Sequence, residues 1–173
     1  MLKNGFIESV IRVNHAGEYG AVCIYHGQEL VLKKNPIMAK KIFHMKKQEQ
    51  CHFKYFNDTM RQMQVRPTFF LPVWHVMGVM MGAVTALMGE KSAMACTAAV
   101  EEVICDHYRN QLLQLNNCND AKLKEKIKQF YKEESEHKDI AIDHGAEDAF
   151  AYQVLSYAIK KICKTAIAIS KIL

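Results

Sequence analysis

Proline and glycine are scarce, at three and eight in 173 residues. So few chain breakers, together with few β-branched runs, exclude a turn-rich β architecture and leave an all-α chain. The six cysteines, Cys23, Cys51, Cys96, Cys105, Cys118 and Cys163, contain no Cys-x-x-Cys and follow no signal segment. That excludes a thiolate zinc site and a disulfide framework, and the cysteines are read as reduced thiols of a cytosol-facing protein. Gly-x-Gly-x-x-Gly is also missing, so no nucleotide-binding fold is expected. The lysines are dispersed without interleaved aromatics, which excludes nucleic acid as a partner. Finally, Phe69 to Met88 contains no Asp, Glu, Lys or Arg, although 24% of the chain is charged.

What is present is one spacing used twice. A lone glutamate is followed roughly thirty residues later by Glu-x-x-His, first as Glu18, Glu49 and His52, then as Glu101, Glu134 and His137. All six fall on apolar helical stripes. Met38, Ile42, Met45, Glu49, His52, Phe56, Met60 and Met63 recur at steps of three and four, as do Leu123, Ile127, Phe130, Glu134, His137 and Ala141. Glu101 lies among Met94, Thr97, Ile104, Tyr108, Leu112 and Leu115, and Glu18 among Ile7, Ile11, Val22, Tyr25 and Leu32. Four carboxylates turned into one core repel one another and cost several kcal/mol per buried ion unless cations accompany them. Two divalent ions would neutralise four glutamates, and neutral imidazoles would complete the set. This is the ligand order of ferritin-like di-iron and di-manganese bundles, and carboxylate with imidazole suits those metals.

Neighbouring acids need to be set apart. Glu133 and Glu136 fall beside Lys126, Lys132 and Gln129 on flanks expected to be wet, and Glu102 sits beside Arg109, so Glu101 is preferred. His15, His26, His44, His75, His107 and His144 share no repeated spacing and read as structural or exposed. Among them His107, with its neighbour Tyr108, is expected to support the ligands from behind.

Breaks in the periodicity give the organisation. Asn35-Pro36, Arg66-Pro67 and the run Asn116-Asn117-Cys118-Asn119-Asp120 separate the helices. A single domain over 1–173 is expected, with a helical hairpin at 5–65, an apolar crossover at 67–91, a second hairpin at 92–148 and a basic amphipathic helix at 150–173. The charge-free stretch has nearly the ~20 residues of a membrane span. One crossing would put the hairpins on opposite sides and forbid the six ligands from converging. That leaves a buried crossover, a re-entrant turn or a helix lying in the membrane interface. In the last helix Val154, Leu155, Ala158, Ile162, Ile167 and Ile169 alternate with Lys160, Lys161, Lys164 and Lys171. With a net charge of +5, this helix suits either an anionic membrane surface or the side of the bundle. The apolar stretch would serve a homodimer interface as readily as lipid.

Four runs carry a resemblance. Arg12-Val13-Asn14-His15-Ala16-Gly17-Glu18-Tyr19-Gly20-Ala21, Arg66-Pro67-Thr68, Ala93 through Glu102 and Asp143-His144-Gly145-Ala146-Glu147 resemble the demethoxyubiquinone hydroxylase (3-demethoxyubiquinol 3-hydroxylase) family of coenzyme Q biosynthesis, across nearly the whole chain. The resemblance implies a ferritin-like four-helix bundle acting as a membrane-associated di-iron monooxygenase. It implies two iron ions as cofactor, O2 as co-substrate and a polyprenylated methoxy-methyl-benzoquinol as substrate, and other ubiquinone-biosynthesis proteins as partners. The family's ligands fall on Glu18, Glu49, His52, Glu101, Glu134 and His137, with Glu49 and Glu134 expected to bridge and one histidine on each iron. Eukaryotic members carry an N-terminal targeting segment, whereas helix-forming sequence begins here within a few residues of Met1, so the expected setting is the cytoplasmic side of a bacterial membrane. The electron donor is NADH bound without a nucleotide fold, a separate reductase, or the quinol itself. The competing reading is a soluble ferroxidase or peroxide-consuming bundle, which needs the same ligands but no apolar stretch.

Overall fold

A computed structural model describes residues 2–116 and 120–172. Asn117, Cys118 and Asn119 of the predicted third turn lie outside the described residues, as does Leu173. Six α-helices run in order: α1 (Leu2–Leu32), α2 (Pro36–Met63), α3 (Leu71–Leu87), α4 (Glu90–Leu115), α5 (Ala121–Asp143) and α6 (Tyr152–Ile172), with a 3-10 turn at Ala146–Asp148. No strand occurs among the described residues.

Local chemistry sets the boundaries. Asn35 caps α2, its Oδ1 accepting from the backbone N–H of Ile37 at 3.0 Å and Met38 at 3.2 Å, with Pro36 in the first turn where its missing N–H costs nothing. Asp120 caps α5 in the same way through the N–H of Leu123 at 3.0 Å. Helix α2 closes on Gln64 in the left-handed region (φ 55°), with the Val65 N–H returning to the Met60 carbonyl at 3.0 Å. Helices α3 and α4 are separated by Gly89, whose φ of 115° is open only to a residue without Cβ.

Helices α1, α2, α4 and α5 form the bundle, and their apolar stripes make two core layers. Tyr25, Met38, Ile42, Met45, Met94 and Ala141 belong to one. Val10, Phe56, Tyr108, Ile127 and Phe130 belong to the other. In each of the four helices the acidic ligand position falls between its contributions to the two layers, so the carboxylates occupy the middle of the bundle.

The charge-free stretch is one continuous helix laid along α1, which removes the re-entrant turn from the three expected forms. It is buried on one face alone: Gly78, Gly82, Thr85 and Ala86 are covered, whereas Val76, Met80, Val84 and Leu87 are exposed. No helix among the described residues is long and apolar enough to cross a membrane. Helix α6 packs on α4 and α1 through only part of the predicted stripe, Leu155 against the core and Ile162 and Ile167 towards a cavity shared with α3. Ser156, Ile159 and Ser170 are its buried positions, while Val154 and Ala158 are exposed. Its lysines are not all solvated either, since Lys160 pairs with Glu102 of α4 at 2.7 Å.

Candidate metal centre

Each helix of the bundle delivers its acid to one point. Glu18 from α1, Glu49 and His52 from α2, Glu101 from α4, and Glu134 and His137 from α5 are all at most 1% exposed. They form two overlapping sets, Glu18–Glu49–His52–Glu134 and Glu49–Glu101–Glu134–His137, within each of which the donor atoms lie inside 4.8 Å of one another. Glu49 and Glu134 belong to both. The three-residue step brings each histidine beside the glutamate of its own helix, and both rings turn Nδ1 inward. His52 Nδ1 is 3.0 Å from Glu134 Oε1 and 3.3 Å from Glu18 Oε2. His137 Nδ1 is 3.0 Å from both Glu49 Oε1 and Glu134 Oε2.

The protein alone does not satisfy this cluster. Glu18 Oε2, both oxygens of Glu49, Glu101 Oε2 and Glu134 Oε2 are buried with no hydrogen-bond partner outside the cluster itself. Buried polar groups are nearly always paired, so four carboxylates facing one another with only two imidazoles among them form a group that could hold cations. Burial, then the charges of the neighbouring glutamates, push Glu49 well above the ordinary carboxylate range. Burial and the charge of Glu134 do the same to Glu101, although Tyr25 opposes them. Burial would raise Glu134 too, but hydrogen bonds from His137 and His52 hold it at about 2. Burial lowers His52, yet its hydrogen bonds to Glu134 and Glu18 outweigh that and lift it to about 11. Without metal the cluster is thus a set of acids competing for protons, and oxygen and imidazole donors of this kind fit iron or manganese.

Around the six lies a ring of supporting contacts. Tyr25 Oη of α1 donates to Glu101 Oε1 of α4 at 2.6 Å, and Tyr108 of α4 donates to Glu18 of α1, so each tyrosine holds the acid of the other helix. Outside the rings, His52 Nε2 meets Glu133 Oε2 at 2.5 Å and His137 Nε2 meets Gln48 Oε1 at 3.0 Å. Of the two predicted supports, only Tyr108 touches one of the six residues. His107 turns away to Gln111 at 2.7 Å, which in turn exchanges hydrogen bonds with Asn14 at 2.9 Å. Burial and the charge of Lys171 lower His107 to about 4. Glu133 lies on a wetter flank than Glu134, as expected, 24% exposed against 0%, yet it also reaches the centre by meeting His52 and accepts from Gln129 at 2.9 Å. Glu136 does lie outside, exposed beside Lys132, and Glu102 belongs to the α6 contact. Sequence reasoning passed over Tyr25, Gln48 and Glu133. A signal for Tyr25 was present, since it follows Glu18 by the same step that separates Tyr108 from Glu101.

An apolar cavity lies between α1, α3, α4 and α6, and none of the six residues lines it. Val13, Gly17 and Ala21 of α1 and Val100 and Ile104 of α4, neighbours of Glu18 and Glu101 in sequence, form its inner wall. Helices α3 and α6 close it, through Trp74 and Met77 on one and Ile162 and Ile167 on the other. The two covering helices are tied together where Trp74 Nε1 donates to Ser170 Oγ at 3.2 Å.

Known proteins share this chain almost end to end. A human protein named NADPH-dependent 3-demethoxyubiquinone 3-hydroxylase, mitochondrial, is 47% identical over 171 residues, covering 95% of this chain and 77% of its own length. The 3-demethoxyubiquinol 3-hydroxylase of Rhodospirillum rubrum is 45% identical over 165 residues, with 95% and 77% coverage. The 5-demethoxyubiquinone hydroxylase, mitochondrial, of Saccharomyces cerevisiae is 40% identical over 177 residues, with 94% and 76%. The family model described as ubiquinone biosynthesis protein COQ7 matches residues 5–170. An all-α bundle with a buried glutamate and histidine cluster, matched over nearly its whole length, places the chain in the COQ7 family of ubiquinone biosynthesis proteins.

Proposed function

We propose that the chain is an O2-dependent di-iron monooxygenase that hydroxylates the ring of a polyprenylated demethoxyubiquinol. The overlap of the two ligand sets carries this reading: two cations can share Glu49 and Glu134, with Glu18 and His52 completing one position and Glu101 and His137 the other. When bound, iron supplies the redox chemistry with O2 that no side chain here provides. The chain's own part is to hold and shield. Tyr25 and Tyr108 fix the two unshared glutamates. The two core layers keep bulk water from the carboxylates.

Features beyond the metal centre support a lipid-borne substrate over a soluble ferroxidase role. The cavity between α1, α3, α4 and α6 is apolar, as a benzoquinol ring requires. Outside it, Val73, Val76, Met80 and Val84 of α3 and Val154 and Tyr157 of α6 face outward. Phe69 and Phe150 are 85% and 86% exposed. An apolar surface of this kind fits peripheral attachment to a bilayer, from which a water-insoluble quinol can be drawn. In a bacterial cell this would be the cytoplasmic face of the membrane. A reduced nicotinamide nucleotide is proposed as electron source, in keeping with the NADPH in the name of the human relative.

The test is turnover of protein reconstituted anaerobically with Fe(II), given demethoxyubiquinol in vesicles, a reductant and then O2. Mass spectrometry should find the substrate one oxygen heavier, only when iron and O2 are both supplied. Fe(II) oxidation at full rate with no organic product would replace the hydroxylase by the ferroxidase reading.

A further inference from the structure

The centre is built on a repeat, and one pair of residues breaks it. Glu18 with Tyr25 on α1 answers Glu101 with Tyr108 on α4, and the tyrosines cross over to each other's acid. Gln48-Glu49-x-x-His52 on α2 answers Glu133-Glu134-x-x-His137 on α5. Here too the contacts cross: the residue preceding each shared glutamate reaches the outer nitrogen of the histidine on the opposite helix. On one side that residue is a carboxylate, Glu133; on the other it is an amide, Gln48.

We infer that Glu133 and Gln48 are positioning residues that make the two metal positions unequal, the Glu18–His52 position binding its ion first and more tightly than the Glu101–His137 position. The inference rests on the di-metal reading. With Nδ1 facing the metal, Nε2–H of each ring must donate outward. His52 donates to Glu133 Oε2 at 2.5 Å, and His137 to Gln48 Oε1 at 3.0 Å. A carboxylate draws the ring proton towards itself and leaves Nδ1 more electron-rich, whereas a neutral amide orients the ring without that push. Glu133 is itself fixed, its other oxygen accepting from Gln129 Nε2 at 2.9 Å, with Lys126 donating to Gln129 Oε1 at 3.0 Å. The unshared ligands do not offset this difference, because both are glutamates that accept from a buried tyrosine.

The deciding experiment is anomalous diffraction from crystals of the whole chain loaded with one equivalent of Mn(II), beside a Mn(II) titration in solution. Wild-type protein should carry the ion between Glu18 and His52 and titrate in two steps. E133Q, which keeps the hydrogen bond and its shape, should weaken the first step about 10- to 100-fold and bring the two steps together. The exchange Q48E/E133Q should move the single ion to Glu101 and His137. Equal occupancy in the wild type, or a preference that the exchange leaves in place, overturns the inference while leaving a two-metal centre intact. Absence of any bound Mn(II) overturns both.

Discussion

Glu49 has no exposed surface, and apart from the His137 ring 3.0 Å from its Oε1 it is surrounded by other buried acids, so little in the protein stabilises its charge. Burial and neighbouring carboxylates raise Glu49 and Glu101 above the ordinary 4.5, and His52 rises from 6.5 to about 11. All three act in one direction. A group with its folded pKa above the unfolded value binds more protons when folded, so stability is lost as pH rises between the two values. Glu134, held at about 2, works the other way only as pH falls below 4.5, and His15 and His107, both lowered by burial, offset part of the trend below 6.5. Metal-free protein is therefore expected to melt roughly 5–10 °C lower at pH 8 than at pH 5.5, on the scale of about one extra bound proton. Metal loading should reverse the trend, because the ions displace those protons. Calorimetry with and without chelator checks this, and a metal-free midpoint that climbs with pH would refute it. Periodicity identified Glu101 over Glu102 because a stripe records which way a helix faces. It could not identify Gln48 or Glu133, whose roles come from the opposite helix and leave no trace in their own periodicity.

Between elements, the contact of α1 with α3 is the tightest. A Cβ on Gly82 would sit 2.0 Å from the Ile24 carbonyl oxygen, one on Gly27 2.2 Å from that of Val79, and one on Gly78 2.8 Å from Cys23 Cβ. Backbone carbonyls cannot rotate aside, so Gly82→Ala must push the helices apart, at a cost of roughly 1–3 kcal/mol and several degrees in Tm. Gly20→Ala is the control: it meets nothing within 4 Å and should stabilise α1 by up to about 1 kcal/mol. Thermal melts of the two variants should move in opposite directions, and a Gly82→Ala protein as stable as the wild type would disprove the close-contact account. The turns at Asn35-Pro36 and Arg66-Pro67 were legible because capping and proline act locally. The face of α6 was not. Hydropathy favoured Val154 and Ala158, which are exposed, whereas Ser156 and Ser170 are buried alongside Ile159, Ser170 accepting from Trp74. Packing there is governed by what α3 and α4 present, and no pattern within α6 encodes it.

For the whole molecule, convergence of the four glutamates and two histidines is the organising constraint. Both hairpins must lie on one side of any membrane for α1, α2, α4 and α5 to share a centre, and α3 accordingly runs along α1 instead of crossing. The apolar character of Phe69 to Met88 then has two uses, its small residues against α1 and its large ones outward. That division was invisible in sequence, because a stretch apolar on every face has no periodicity to read. The central claim, that six residues hold two ions, is tested most directly by counting metal. Protein reconstituted anaerobically with Fe(II) and freed of excess should hold about two irons per chain, while Glu49→Ala and Glu134→Ala, each removing a ligand common to both sets, should hold almost none. Wild-type protein without iron, or either variant retaining a full complement, would contradict the account.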